Sequence, residues 1–263
     1  DAIELSDIET ALEAYDDVPF VSGGSGISQA LGNAYYEDLP PLDFSERLAG
    51  LSPTLAVISG SESPTARAQR EHAIRRGFAE VTVHPIDILE EWEKNGVVSD
   101  EAAVVLDAAE RAAGHTRGGR SIVIALDREN GGDVESVNRR AQKTGLSNVE
   151  TGNLLGTCMG KIAARLVRDY GIDRLLVAGG ETSGAVCCEC GFRALEVGLP
   201  IDPGVPFCFP ADPDSENAAS AAASAASAAA NTPMVVLKSG NFGAEDLYER
   251  AALLGTSKGG AQS

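Results

Sequence analysis

Four times along the chain an aliphatic run stops at a loop rich in glycine, serine and threonine. Leu55-Ala56-Val57-Ile58 enters Ser59-Gly60-Ser61, and Leu175-Leu176-Val177-Ala178 enters Gly179-Gly180-Glu181-Thr182-Ser183-Gly184. Met234-Val235-Val236-Leu237 enters Lys238-Ser239-Gly240-Asn241-Phe242-Gly243. Val18-Pro19-Phe20-Val21, read as a short buried strand, enters Ser22-Gly23-Gly24-Ser25-Gly26. Short aliphatic runs without polar alternation are the pattern of strands buried on both faces. Ser121-Ile122-Val123-Ile124-Ala125-Leu126 is the clearest of these, and Val81-Thr82-Val83 adds a further strand.

Helix signals lie between the strands. Ser6 and Glu9 have capping-box spacing and predict a helix to about Tyr15, and another begins near Ile27. Pro64 suits a first helical turn, with the helix running to about Arg76 and stopping at Gly77. The stretch 100–113 is helical by composition. Met159, Ile162, Ala163, Leu166 and Val167 fall on one helical face, with Gly171 as the cap. Strand, glycine-rich loop and helix in repeated order predict an α/β fold. Its sheet is mainly parallel with helices on both faces, giving three layers, α/β/α. Between 218 and 230 every residue is Ala or Ser, read as a surface excursion between two strands.

Charge and cysteine usage narrow the function. Of 263 residues, 21 are Lys or Arg and 39 are Asp or Glu, a net charge of −18. That excludes a nucleic-acid binder, which needs a basic face. No apolar run reaches the roughly 18 residues of a membrane span. The five cysteines, Cys158, Cys187, Cys188, Cys190 and Cys208, are odd in number and crowd at 187–190. A reducing cytoplasm is the expected location, with buried thiols favoured over a disulfide framework or a zinc site. No metal site is expected.

In a parallel sheet the carboxyl ends of the strands line one edge, where ligands bind. Glycine lets backbone approach an anion, a following helix start offers free N–H groups, and hydroxyls add donors. Lys238, directly after its strand, can place a charge beside a phosphate. No loop carries the P-loop or the dinucleotide pattern. The residues thus point to a phosphate-bearing ligand at the strand edge, without separating a kinase from a binding module. Asp127, after Leu126, is either an acid at the site edge or a loop acid.

Taken together, Gly179-Gly180-Glu181-Thr182-Ser183-Gly184-Ala185-Val186, Ala194-Leu195-Glu196-Val197-Gly198, Pro203-Gly204-Val205-Pro206 and Leu237-Lys238-Ser239-Gly240-Asn241-Phe242-Gly243 resemble the nucleotide-binding half of the four-carbon acid sugar kinases. Ser59-Gly60-Ser61 with Ser63-Pro64-Thr65, Gln69 and Gly77-Phe78 resembles the loop opening that half, and the segment 19–26 resembles what precedes it.

The resemblance implies ATP-dependent phosphorylation of a four-carbon sugar acid of the threonate, erythronate or oxo-tetronate type, with Mg²⁺. It implies nucleotide contacts from Ser59, Gly179, Gly180, Glu181, Thr182 and Gly240. Gly60, Ser61, Ser183 and Lys238 join them as neighbours in the same loops. Glu181 either orients Mg²⁺ or complements the helix dipole. The family's Asp-Asp-x-Thr-Gly-Ala string of the amino-terminal substrate domain does not occur here. Residues 1–45 then read as the tail of that domain or a connecting segment. Residues 46–255 read as the nucleotide-binding domain with an insertion at 212–231, and 256–263 as a tail. The expected partners are the sugar acid and the missing amino-terminal domain, and a homo-oligomer is admitted. A nucleotide-binding module without catalytic activity of its own is the alternative.

Overall fold

The aliphatic runs assemble into one sheet. The computed structural model describes residues 4–14, 20–36, 43–127, 129, 132–212 and 232–256. Its strands are β1 (Ala56–Ser59), β2 (Ala79–Val83), β3 (Ile122–Leu126), β4 (Arg174–Ala178), β5 (Ala194–Asp202), β6 (Val205–Ala211) and β7 (Met234–Lys238). Their order is β2-β3-β1-β4-β7-β6-β5. The strands from β2 to β7 in that order run parallel, and β6 and β5 add an antiparallel hairpin at one edge.

The helices are α1 (Leu5–Glu13), α2 (Ser25–Tyr36), α3 (Ser45–Ala49), α4 (Pro64–Arg75), α5 (Pro85–Asn95), α6 (Ala103–Arg117), α7 (Val134–Lys143), α8 (Asn148–Tyr170), α9 (Gly180–Glu189) and α10 (Leu247–Leu253). Strand alternation sorts side chains onto two faces. Ala56, Ile58, Ile122, Ile124, Leu175 and Val177 enter a core closed by α5 to α9. Val57, Val123, Leu176 and Val236 face the other way, onto Leu48 of α3, Ala73 of α4 and Leu247, Tyr248 and Ala251 of α10. Each such Val, Leu or Ile contributes about 1.5–3 kcal/mol of burial, so both helical layers are firmly held. The fold is the expected three-layer α/β/α arrangement.

Arg174 opens β4 and is fully buried. Its guanidinium donates to the carbonyls of Ser52, Leu48 and Ala251, joining α3 and α10 to the amino end of the central strands. Asp173 accepts from Ser52 N at 2.8 Å beside it.

Packing divides the chain after Asp43 into units 1–43 and 44–263. Within the first, α1 and α2 are tied by Asn33 Nδ2 donating to Glu9 Oε1 at 2.8 Å. The expected cap at Ser6 is displaced: Glu4 caps α1, and Asp7 accepts from Glu4 N at 3.0 Å. Two overlapping acid spacings compete there, and the earlier one wins. The expected strand at 18–21 is also corrected. Val18 and Pro19 lie outside the described residues, while Phe20 is 79% exposed and not in a strand. Hence Ser22–Gly26 does not end a strand of the sheet but leads into α2. The Ala/Ser run at 218–230 and residues 257–263 lie outside the described residues. Among the described residues no helix is long and apolar enough to cross a membrane.

Candidate functional site

Because β1, β4 and β7 are parallel neighbours, their carboxyl ends place three of the loops side by side. Backbone hydrogen bonds then stitch the loops together. The N–H groups of Gly60 and Ser61 both donate to Ala178 O at 3.0 Å, and Gly179 N donates to Lys238 O at 2.9 Å. Ser63 caps α4 by accepting from Ala66 N at 3.1 Å, and its hydroxyl donates to Gly240 O at 2.7 Å. Ser63 N donates to Ser61 Oγ at 3.3 Å.

The glycines here are dictated by space and backbone. A Cβ on Gly60 would stand 1.9 Å from Thr182 Oγ1, and one on Gly240 would stand 2.2 Å from Ser61 Oγ. Gly179 takes φ +123°, which side chains rarely adopt. It precedes α9, whose first carbonyl partner is Gly179 O, accepting from Ser183 N at 2.9 Å and Ser183 Oγ at 2.7 Å. The N–H groups of Gly180, Glu181 and Thr182 therefore begin a helix with no intrahelical acceptor, at its positive dipole end. Glu181 is exposed in that first turn, while Thr182 is buried against Gly60.

Lys238 is only 2% exposed. Its ammonium donates to Gln69 Oε1 at 2.9 Å and to Gly240 O at 3.0 Å, both neutral acceptors. Burial lowers its pKa to about 8. That ammonium braces the Gly240 loop from within the protein. Gln69 of α4 is fully buried, and its Nε2 faces the carbonyls of Phe242, Gly243 and Ala244 at 3.0, 2.9 and 2.9 Å. The ammonium on one side and three carbonyls on the other fix which way the amide points. Asp202, at the end of β5, accepts from Ala244 N at 2.8 Å and from the Arg250 guanidinium, so the hairpin also holds this loop.

All ten residues expected at the site cluster at the carboxyl ends of β1, β4 and β7: Ser59 and Lys238 close β1 and β7, Gly60, Ser61, Gly179 and Gly240 lie in the loops, and Gly180, Glu181, Thr182 and Ser183 open α9. Sequence reasoning gave Gln69 no role in the site. The signal was present, because Gln69 shares the buried stripe of α4 with Ala66 and Ala73, where a polar residue needs a partner. Asp127 accepts from Glu129 N at 2.9 Å, the local turn of a loop acid. The expectation of buried thiols at 187–190 is corrected: Cys187 and Cys190 at the end of α9 are part-buried, which raises both thiols, while Cys188 is exposed because it falls on the outer face of the helix. Among the described residues no three His, Cys, Asp or Glu side chains gather in a metal-binding group.

Residues 56–248 match the family described as nucleotide-binding C-terminal domain. The chain is 32% identical to a 3-oxo-tetronate kinase of Pseudomonas fluorescens over 99% of its own length and 52% of that protein. It is 27% identical to a 3-oxo-isoapionate kinase of Paraburkholderia graminis over 72% of its length and 39% of that protein. A solved Haemophilus influenzae protein of the DUF1537 family shares the fold, with a TM-score of 0.64 and 22% identity over 97% of this chain and 52% of that one. The chain spans about half the length of the curated 3-oxo-tetronate kinases it matches.

Proposed function

Since the chain belongs to the nucleotide-binding C-terminal domain family, the carboxy-terminal half of the four-carbon acid sugar kinases, we propose that its three stitched loops bind ATP for phosphoryl transfer to a four-carbon sugar acid. The observation that carries this reading is the buried ammonium of Lys238 beneath Gly240 with only neutral oxygen partners. A buried cation without a counter-charge calls for an anion nearby. Gly60 and Gly240 let their loops close against Thr182 and Ser61, and Gly180, where a Cβ would meet nothing within 4 Å, leaves open space at the start of α9 for phosphate oxygens.

In this reading the N–H groups of Gly180, Glu181 and Thr182 donate to phosphate oxygens at the start of α9. The hydroxyls of Ser59 and Ser61 supply further donors, Ser183 holds the helix start through its hydroxyl bond to Gly179 O, and Gly240 lets its loop close on Ser61. Lys238 holds the Gly240 carbonyl and adds positive potential from beneath. MgATP, when bound, supplies the γ-phosphoryl group, and its cation needs oxygen ligands of the kind that phosphates and Glu181 offer. Phosphoryl transfer rests on positioning and charge stabilisation rather than covalent help from the protein.

The acid acceptor is a threonate, erythronate or oxo-tetronate type compound, the class suggested by the kinases this chain resembles. The acceptor site is assigned to the amino-terminal half that completes those relatives, with residues 1–45 as the tail of that domain or a connecting segment. The cytoplasm is the proposed compartment, following the cysteine usage. The alternative, a nucleotide-binding module without catalysis of its own, is favoured for the isolated chain by its half-length match. The test is ADP release with each acid, with and without the amino-terminal half of a relative. Acid-dependent release only with that half supports the kinase reading. Robust release by this chain alone would relocate the acceptor site onto residues described here.

A further inference from the structure

Tyr248 lies on the sheet-facing side of α10, fully buried among Val57, Leu176, Ala178 and Leu247. Its hydroxyl is enclosed and makes no well-formed hydrogen bond. The hydroxyl of Ser59, the last residue of β1, lies beside it. Burial holds the phenol well above its ordinary pKa, so it remains a neutral donor. A core position that only needed bulk would be filled by phenylalanine, because an enclosed, unpartnered hydroxyl is destabilising.

We infer that Tyr248 is a positioning residue of the nucleotide site: its phenol donates to Ser59 Oγ when nucleotide binds, turning the proton of Ser59 outward to a phosphate oxygen. This rests on the nucleotide reading above. The geometry supplies the reason. Ser59 is itself buried, at the strand end from which Gly60 and Ser61 leave toward the loop carbonyls. A serine hydroxyl has one proton to give and two lone pairs to offer. A donor from below fixes its rotor, leaving the proton for the ligand. In the free protein the two hydroxyls lie together without a well-formed bond, and a ligand that draws Ser59 into place completes it.

The test compares the unsubstituted chain with Tyr248→Phe, Ser59→Ala and the double variant, by calorimetric titration with ADP and by melting without ligand. The expected result is an ADP affinity about three- to tenfold weaker in each single variant, the range of one lost neutral hydrogen bond. The double variant should be no weaker than the worse single one, since both remove the same contact. Without ligand, Tyr248→Phe should melt at the same temperature or higher. A purely structural tyrosine would instead melt lower and bind ADP normally, and either of those results would overturn the inference. If the unsubstituted protein failed to bind ADP, the nucleotide reading would fall and this inference with it. Normal ADP binding by Tyr248→Phe beside normal binding by the parent would remove this inference alone.

Discussion

The ammonium of Lys238, buried at the end of β7, donates to the side-chain carbonyl of Gln69 on α4 at 2.9 Å, across 169 positions of sequence. Both neighbours of that ammonium are neutral, and its pKa falls to about 8 through burial. The folded protein therefore releases this proton near 8, while the unfolded chain holds it to about 10.4. Between those values the unfolded state binds more protons, so stability from this group rises with pH. Relative to Lys238→Met, the parent protein should gain up to about 3 kcal/mol from pH 7 to 10. Chemical denaturation of both across that range reads the difference; a constant gap would contradict it.

The same pair links protons to ligand. A phosphate near Lys238 favours its charged form. ADP binding at pH 8.5 should take up a fraction of a proton in the parent and less in Lys238→Met. Titration in buffers of different ionisation enthalpy measures this.

Gln69→Leu keeps the size of the side chain and removes its polar atoms. Three carbonyls lose a shared donor and the ammonium loses an acceptor. The expected loss is about 2–4 kcal/mol, or roughly 5–10 °C in melting temperature. ADP should also bind at least tenfold more weakly, because the Lys238–Gly243 loop loses its brace. A variant that is only less stable, with ADP affinity intact, would separate the brace from the site.

Arg174 offers a contrast at the opposite end of the strands. Arg174→Ala leaves carbonyls of Leu48, Ser52 and Ala251 without their donor. It should cost about 3 kcal/mol of stability. ADP affinity, measured well below the melting transition, should stay within about twofold, since sites this far apart act independently.

The central strands were legible because burial on both faces leaves no polar interruption, as at Ile122–Leu126. The loops were legible because Gly60, Gly179 and Gly240 answer local needs of space and backbone. The β5–β6 hairpin was not read as strands. Gly198, Pro200 and Pro206 interrupt it, and its register shifts on either side of Pro200, as an edge position permits. Phe20 shows the converse, since a short apolar run is no guarantee of burial. The buried stripe of α4 marks Gln69 as needing a partner, but which carbonyls it braces, and the contact of Tyr248 with Ser59, depend on residues far away in sequence, which no local pattern names.

The central claim is that the three loops form one nucleotide site, and calorimetric titration of the 263-residue chain with ADP and Mg²⁺ tests it most directly. Gly240→Ala serves as the partner experiment, because its methyl would fall 2.2 Å from the Ser61 hydroxyl that shares the site. The account predicts saturable binding by the parent, a melting temperature that rises with ADP, and at least a tenfold loss in Gly240→Ala. Absence of binding at millimolar ADP, or equal binding by Gly240→Ala, would contradict it.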